Sequence, residues 1–304
     1  MAGPTLDERR VRYLYEAVLT GSVRAAADKM DLNPSVVSRQ IAQLESQLAV
    51  TLLERHGRGV RPTDAGQVLV DYHRRQAASQ DDALAQLQAI RGLAKGHVDL
   101  ALGEGFVSDL MGEPLQALWR RHPGLTVALN LGGTNDVLRM VEEDTAHIGL
   151  VYIPPIRPGI RSHVAVRQPL CAIVAPDHPL ARVAGPLTLR QVAAHPLALM
   201  HEAYGTRQIV QIAAQMDKVR LTLKLTTNSM SVIKHFAQTG QGVSLLPAFA
   251  LSQDIGAGEV LALPVDQPLL AKAEAHLITR LGRQLSPAAN QLLMQLLTTM
   301  KALL

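Results

Sequence analysis

Apolar positions fall into two regimes along the chain. Up to about residue 90 they recur at helical spacing, and beyond residue 96 short apolar runs alternate with helical stretches. In the first regime Val11, Leu14 and Val18 form a helical stripe that stops at Thr20–Gly21. Ser22 is placed to cap a second helix, "VRAAADKM", whose Ala25, Ala26 and Ala27 favour helix and would let another helix approach closely. Asn33–Pro34 is a strong start signal, because Asn caps orphan N–H groups and Pro has none to leave unpaired. Val37, Ile41, Leu44 and Leu48 then face a core, while Ser35, Ser38, Arg39 and Ala42 share another face at the same spacing. Two short extended pieces flank "HGRG" and predict a hairpin.

From Thr63, a capping residue, the pattern stays helical to about Gly92. Leu69, Tyr72, Gln76, Ala83, Leu87 and Ile90 roughly follow a coiled-coil seam with polar breaks. Alone, such a helix buries too little, so it is expected to pair with its own copy. Next come the strand-like runs "HVDLALG", "LTVALNLG", "HIGLVYI", "LCAIVAP", "PLALM", "LTLKLTT", "GVSLLP" and "AHLITR". Between or after them lie helices such as "DLMGEPLQALWRRHP", "TNDVLRMVEED", "RQIVQIAAQM", "SVIKHFAQTG" and "SPAANQLLMQLLTTMKALL". This alternation predicts an α/β region with mostly parallel sheets and ligand sites at strand C-terminal ends.

Composition narrows the picture. A chain of 304 residues with 47% hydrophobic residues suits two or three domains with well-formed cores. The net charge is +4 overall, but residues 1–92 hold 12 Lys and Arg against 11 Asp and Glu, or +1. Any DNA-binding surface would therefore have to be a local arrangement of arginines, not a bulk basic domain. Cys171 is the single cysteine and sits in a buried-looking strand. It permits no disulfide within the chain, suits a reducing compartment and reads as a small hydrophobe. No signal-peptide pattern opens the chain and no run reaches the roughly 18 apolar residues of a membrane span. The expectation is a cytoplasmic protein with no membrane partner.

The residues from Val11 to Gly66 resemble the winged helix-turn-helix of the LysR-type transcriptional regulators. The resemblance is carried by Gly21–Ser22, Ala26–Ala27, "VSRQIAQLE" from Val37 to Glu45, "LLER" from Leu52 to Arg55, "GRGVRPT" from Gly57 to Thr63, and Ala65–Gly66. Beyond it the likeness is looser, through segment order and phrases such as "IVAPDHPLA" and "GQGVSLLP". It implies a DNA-binding domain at 1–65, a linker and dimerisation helix at 66–92, and a two-lobed effector domain at 93–304, like the periplasmic binding proteins. Lobe I would comprise about 93–166 and 268–304, and lobe II about 167–267. The implied partners are double-stranded operator or promoter DNA, a small-molecule effector and a second copy through the linker helix. A homotetramer is the further expectation, with RNA polymerase a candidate partner. Catalytic residues, cofactors and metals are not expected.

The chain departs from the family pattern at the recognition helix. The family has Ser-Gln-Pro where Asn33-Pro34-Ser35 stand here, so a Gln that often reaches a base edge is replaced by Pro34. Val23 replaces a frequent aromatic, and Ala25 a usual Arg, with Arg24 beside it. The base code is therefore not inherited.

A major groove admits one helix, read by side chains near its N-terminus. Ser35, Ser38 and Arg39 are the principal candidates, with Gln43 one turn on, and Arg58 and Arg61 in the hairpin as backbone or minor-groove contacts. Arg39 can give two parallel hydrogen bonds to a guanine edge or one to a phosphate; the bland alternative is a solvated arginine. Arg55 is expected to position the domain through a phosphate or an internal ion pair. In the effector domain, helix N-termini at a cleft favour anions. The candidate effector contacts are Phe106, Ser108, Thr134, Tyr204, Thr206, Arg207, Asn228 and Ser229. Taken one by one each hydroxyl reads as a plain N-cap, but as a group facing one cleft they favour a small anionic or polar effector. The rival reading is an α/β small-molecule-binding protein or enzyme with an N-terminal interaction module. Against an enzyme stands the lack of a nucleophile elbow, a P-loop or a metal cluster.

Overall fold

The computed structural model describes residues 6–56, 59–90 and 96–304. Its helices and strands fall into two compact units that divide between Asp81 and Asp82. The first unit begins with α1 (Glu8–Thr20), α2 (Val23–Lys29) and α3 (Pro34–Leu48). Local chemistry sets their ends. Asp7 accepts the Arg9 and Arg10 N–H groups, and Gly21 closes α1 in the left-handed region at φ 69°, where glycine pays no Cβ penalty. Ser22 accepts the Ala25 N–H, and Asn33 accepts the Ser35 N–H with Pro34 in the first turn.

Val11, Leu14, Ala26, Ala27, Val37, Ile41 and Leu44 meet in one core. Ala26 and Ala27 are fully covered, whereas Ala25 faces solvent, so two alanines rather than three permit the close helix approach. Each fully buried Val or Leu contributes roughly 1.5–3 kcal/mol, so Val37 and Leu44 suffice to fix which face of α3 looks outward. Strands β1 (Leu53–His56) and β2 (Gly59–Pro62) form the expected antiparallel hairpin. The Glu45 carboxylate in α3 accepts the Leu52 and Leu53 N–H groups at 2.7 and 3.2 Å, tying the hairpin to the helix. Thr63 caps α4 (Asp64–Ile90) by accepting the Gly66 N–H at 3.0 Å.

In the second unit β3 (Gly96–Leu102) is followed by α5 (Val107–Leu110), α6 (Glu113–Arg121), β4 (Leu125–Leu131), α7 (Thr134–Glu142), β5 (Ile148–Tyr152) and β6 (Ile160–Arg167). The chain then builds a second sheet from β7 (Leu170–Val174), β8 (Leu197–Met200), β9 (Leu223–Thr227), β10 (Val243–Pro247) and β11 (Leu261–Pro264). Among these strands lie α8 (Leu189–Ala193), α9 (Gly205–Met216), α10 (Met230–Gln238) and α11 (Ser252–Gly256). After α12 (Pro268–Ala271), β12 (Glu274–Arg280) returns to the first sheet and α13 (Pro287–Thr299) follows. The sheet orders are β4-β3-β5-β12-β6 and β11-β7-β10-β8-β9. This is the expected α/β domain of two lobes.

The sheets are mixed rather than mostly parallel. β3 pairs in parallel with β4 and β5, and β8 with β9 and β10. β12 is antiparallel to β5 and β6, and β7 to β10 and β11. The reversed strands, β7 and β12, are the two by which the chain passes from one sheet into the other. The expected helix "DLMGEPLQALWRRHP" is broken at Met111–Gly112 into α5 and α6. Among the described residues, no helix is long and apolar enough to cross a membrane.

Candidate functional site

In the first unit the candidate DNA-contacting residues lie where the helix pattern puts them. Ser35, Ser38, Arg39 and Gln43 are exposed on α3, opposite Val37, Ile41 and Leu44. Ser35 is partly engaged, since its hydroxyl donates to Asn33 Oδ1 at 2.8 Å. Arg39 has no ion-pair partner among the described residues. Arg61 is exposed on β2, and Arg58 lies outside the described residues.

A cleft of about 470 Å³ separates α2, the outer side of α3 and the hairpin, with Arg24, Ser38, Ala42 and Arg55 on its walls. Arg24 and Arg55 are exposed there with no ion-pair partner among the described residues. The structure therefore gathers two basic residues beside Ser38 that helical spacing on α3 alone could not reveal. It also leaves Arg55 without the internal ion pair that was one of its two expected roles.

In the second unit an apolar cavity of about 40 Å³ is lined by strand ends from both sheets, Tyr152 of β5 and Met200 of β8 among them. It is lined by Phe106, Tyr204 and Thr206 among the candidates, together with Met200, Met230 and Phe249. Phe106 and Phe249 stack with ring centroids 5.1 Å apart, and Tyr152 approaches Phe249 at 6.3 Å. The Tyr152 hydroxyl donates to the Gln168 carbonyl, and burial pushes its pKa far up, so it stays a neutral phenol.

Thr134 also lines this cavity, but its polar atoms are already spent on the chain. Its Oγ1 accepts the Gly205 N–H at 3.0 Å and donates to the Tyr152 carbonyl at 3.4 Å. Its own N–H donates to the Ala203 carbonyl at 3.1 Å. One threonine at the start of α7 thus stitches the first sheet to the start of α9. The approach is so close that a Cβ on Gly205 would lie 2.3 Å from the Tyr152 carbonyl oxygen. The Thr134 hydroxyl thus fills the first N–H position of α9 itself.

The other candidates are more dispersed. Ser108 is half-buried on α5 and does not line the cavity. The side chain of Asn228 is exposed, and its carbonyl accepts the Tyr204 hydroxyl at 3.5 Å. Ser229 stands at the N-cap of α10 without a side-chain capping bond, its N–H given to Thr227 Oγ1 at 3.0 Å. Arg207 lies one residue past the lining, with its Nη1 atom buried and without a hydrogen-bond partner. Residues that spacing did not bring out are Met200, Met230 and Phe249, which come from separate strand and helix ends. Their only signal is that Phe249 is one of three phenylalanines.

A further polar cluster gathers around the start of β5 and the end of β12. Arg283 donates to Asp82 at 3.4 Å, to Asp144 at 3.1 Å and to the Ala146 carbonyl at 3.3 Å, while Arg280 pairs with Asp144 at 2.8 Å. The Arg283, Asp82 and Asp144 side chains are 3%, 7% and 2% exposed, so these are desolvated pairs. Among the described residues, no group of His, Cys, Asp and Glu is arranged to hold a metal ion.

Comparison with known proteins settles the family. The sequence profile of the LysR substrate binding domain matches residues 91–301, and that of the bacterial regulatory helix-turn-helix protein, lysR family, matches residues 9–67. The chain belongs to the LysR family. It is 25% identical over 285 residues to the RuBisCO operon transcriptional regulator of Allochromatium vinosum, covering 93% of this chain and 92% of that one.

Its fold is shared with full-length CbnR complexed with the target DNA (TM-score 0.59, 20% identity, 95% of this chain and 98% of that one). It is also shared with the regulatory domain of Synechocystis PCC6803 CcmR in complex with 2-PG (TM-score 0.60, 22% identity, 68% of this chain and 98% of that one). This LysR-type protein is therefore a transcriptional regulator with a helix-turn-helix domain and an effector-binding domain, not an enzyme: its relatives bear the names of regulators.

Proposed function

We propose that this LysR-type regulator reads operator DNA with the exposed face of α3 and is switched by a small polar or anionic metabolite held between the two sheets of its effector domain. The observation that carries the first half is the outward face of α3: Ser35, Ser38, Arg39 and Gln43 are free of the core that Val37, Ile41 and Leu44 occupy. Arg39 is the residue best suited to a guanine edge, with Arg58 and Arg61 in the hairpin, and Arg24 and Arg55 beside Ser38, holding the backbone. The DNA-bound CbnR structure supports this reading.

The second half is supported by the cavity lined by Phe106, Tyr204 and Thr206, and by the 2-PG complex of the CcmR domain. A short helix reads few base pairs, so two half-sites and a homodimer follow. Leu84 and Leu87, 50% and 57% exposed on α4, support pairing through that helix. A homotetramer, a contact with RNA polymerase and action in the cytoplasm belong to the same proposal.

Selection of binding sites from random duplex DNA with the purified full-length protein tests it. Enrichment of a two-fold related sequence is expected, and its loss in Arg39→Ala at unchanged thermal stability assigns the reading to α3. Equal enrichment by the variant would remove that assignment.

A further inference from the structure

We propose that Asn33 and Ser35 together read one adenine of the operator, as a fixed donor and acceptor at the N-terminal edge of α3. This rests on the reading of α3 as the groove helix and names one base within it. Asn33 is exposed just before α3, and its amide is held in one orientation. Its Oδ1 accepts the Ser35 N–H at 3.0 Å and the Ser35 hydroxyl at 2.8 Å. A backbone N–H can only donate, so the atom facing it must be the amide oxygen. The Asn33 Nδ2 group is thereby turned away, with two N–H donors and no partner among the described residues. Ser35 has the opposite character. Its single hydroxyl proton is spent on Asn33, which leaves only lone pairs to accept a bond.

The backbone at this end of α3 offers nothing further to DNA. Pro34 has no N–H, and the Ser35 N–H goes to Asn33 Oδ1. The Val36 and Val37 N–H groups go to the Asn33 carbonyl at 2.9 and 3.4 Å. A helix N-terminus often gives such groups to a phosphate, and here Asn33 takes them all. Recognition at this edge is therefore left to side chains, one donating and one accepting. In the major groove adenine alone offers the complement on one base, an N7 acceptor beside an N6 amino donor. Guanine shows two acceptors there, cytosine one donor, and thymine one acceptor with a methyl group. An asparagine amide ordinarily covers the adenine pattern by itself, with its own oxygen and nitrogen. In this chain the oxygen is committed to the helix, so the Ser35 hydroxyl oxygen stands in for it.

Selection from random duplex DNA by the full-length protein tests the proposal, with variants that keep the helix start. Asn33→Asp preserves both bonds to Ser35 but replaces the free donors with an acceptor. Asn33→Ser keeps a capping oxygen without the amide, and Ser35→Ala removes the acceptor. Wild type is expected to select an adenine at one position of each half-site, at least about tenfold over the other bases. Asn33→Asp should turn that position toward cytosine, whose amino group an acceptor reads. Asn33→Ser and Ser35→Ala should leave it without preference, and all three should melt as wild type does. No such adenine in the wild-type site, or its retention by Asn33→Asp, overturns the proposal. So does a uniform loss of affinity that leaves the selected sequence intact, as a phosphate contact would give. If Arg39→Ala also selects the wild-type site, the reading of α3 on which the proposal rests falls with it.

Discussion

Replacing Thr134 with Val removes one hydroxyl and keeps the shape of the side chain. The Gly205 N–H then loses its 3.0 Å acceptor at a buried helix start, and the Tyr152 carbonyl loses a 3.4 Å donor. Thr134 is 7% exposed and Gly205 is buried, so water cannot replace the bond without opening the contact. The long Tyr152 contact contributes little, and the stranded N–H dominates, at roughly 1–3 kcal/mol. For a domain of this size about 1 kcal/mol corresponds to ~2–4 °C, so the effector domain's melting temperature should fall by ~2–12 °C.

Differential scanning calorimetry of the ligand-free protein is the assay, with Thr134→Ser as the control that keeps the hydroxyl. A Thr134→Val protein melting within about 1 °C of wild type would refute the stitch. A residue that served only to touch an effector would leave the ligand-free protein unmoved, so the measurement also separates the two roles.

Arg283→Met leaves Asp82 without the guanidinium it pairs with in a site 7% exposed, and Asp144 with Arg280 alone. Breaking such a buried pair is expected to cost about 3–5 kcal/mol in urea unfolding, and adding Asp82→Asn should recover part of it; full additivity of the two would deny the pairing. The pH dependence has a definite sign. His73, His147, His163, His178 and His276 all have pKa values lowered from 6.5, each by burial first, with Arg283 assisting at His147 and His195 at His178. A lowered histidine pKa gives stability that is complete above the unfolded value and lost as pH falls toward the folded one. The raised Glu104 pKa acts the other way, one group against five. Melting temperature should therefore be lower at about pH 5 than at about pH 7.5, and a higher value at the acid end would contradict this burial.

The DNA-binding unit was legible in the sequence because its rules are local. Ser22, Asn33 and Thr63 cap helices within three residues of themselves, and the stripe from Val37 to Leu44 fixes the exposed face of α3 by spacing alone. The effector domain was legible as an alternation of strands and helices, but not in detail. β6 escaped because "IRSHVAVR" is largely exposed and carries charge, as an outer strand can. β11 escaped because it is four residues long and only half-buried. The direction of β12 depends on its return to the first sheet after the whole second sheet has been built, which no local pattern encodes. Thr134 was rightly placed at a helix start, yet its partner Gly205 is 71 residues away, so its role as a stitch emerges only from the fold. Leu87, part of the expected seam, is exposed on α4.

The central claim is that this LysR-type chain recognises a specific duplex through α3. The measurement that tests it most directly is sequence selection from random DNA by the full-length protein and by Arg39→Ala, side by side. The account predicts that wild type enriches a two-fold related site with half-sites about 10 bp apart, or a multiple of that, and that the variant, equally folded, enriches none. Selection of the same site by both proteins, or of no site by wild type, would contradict it.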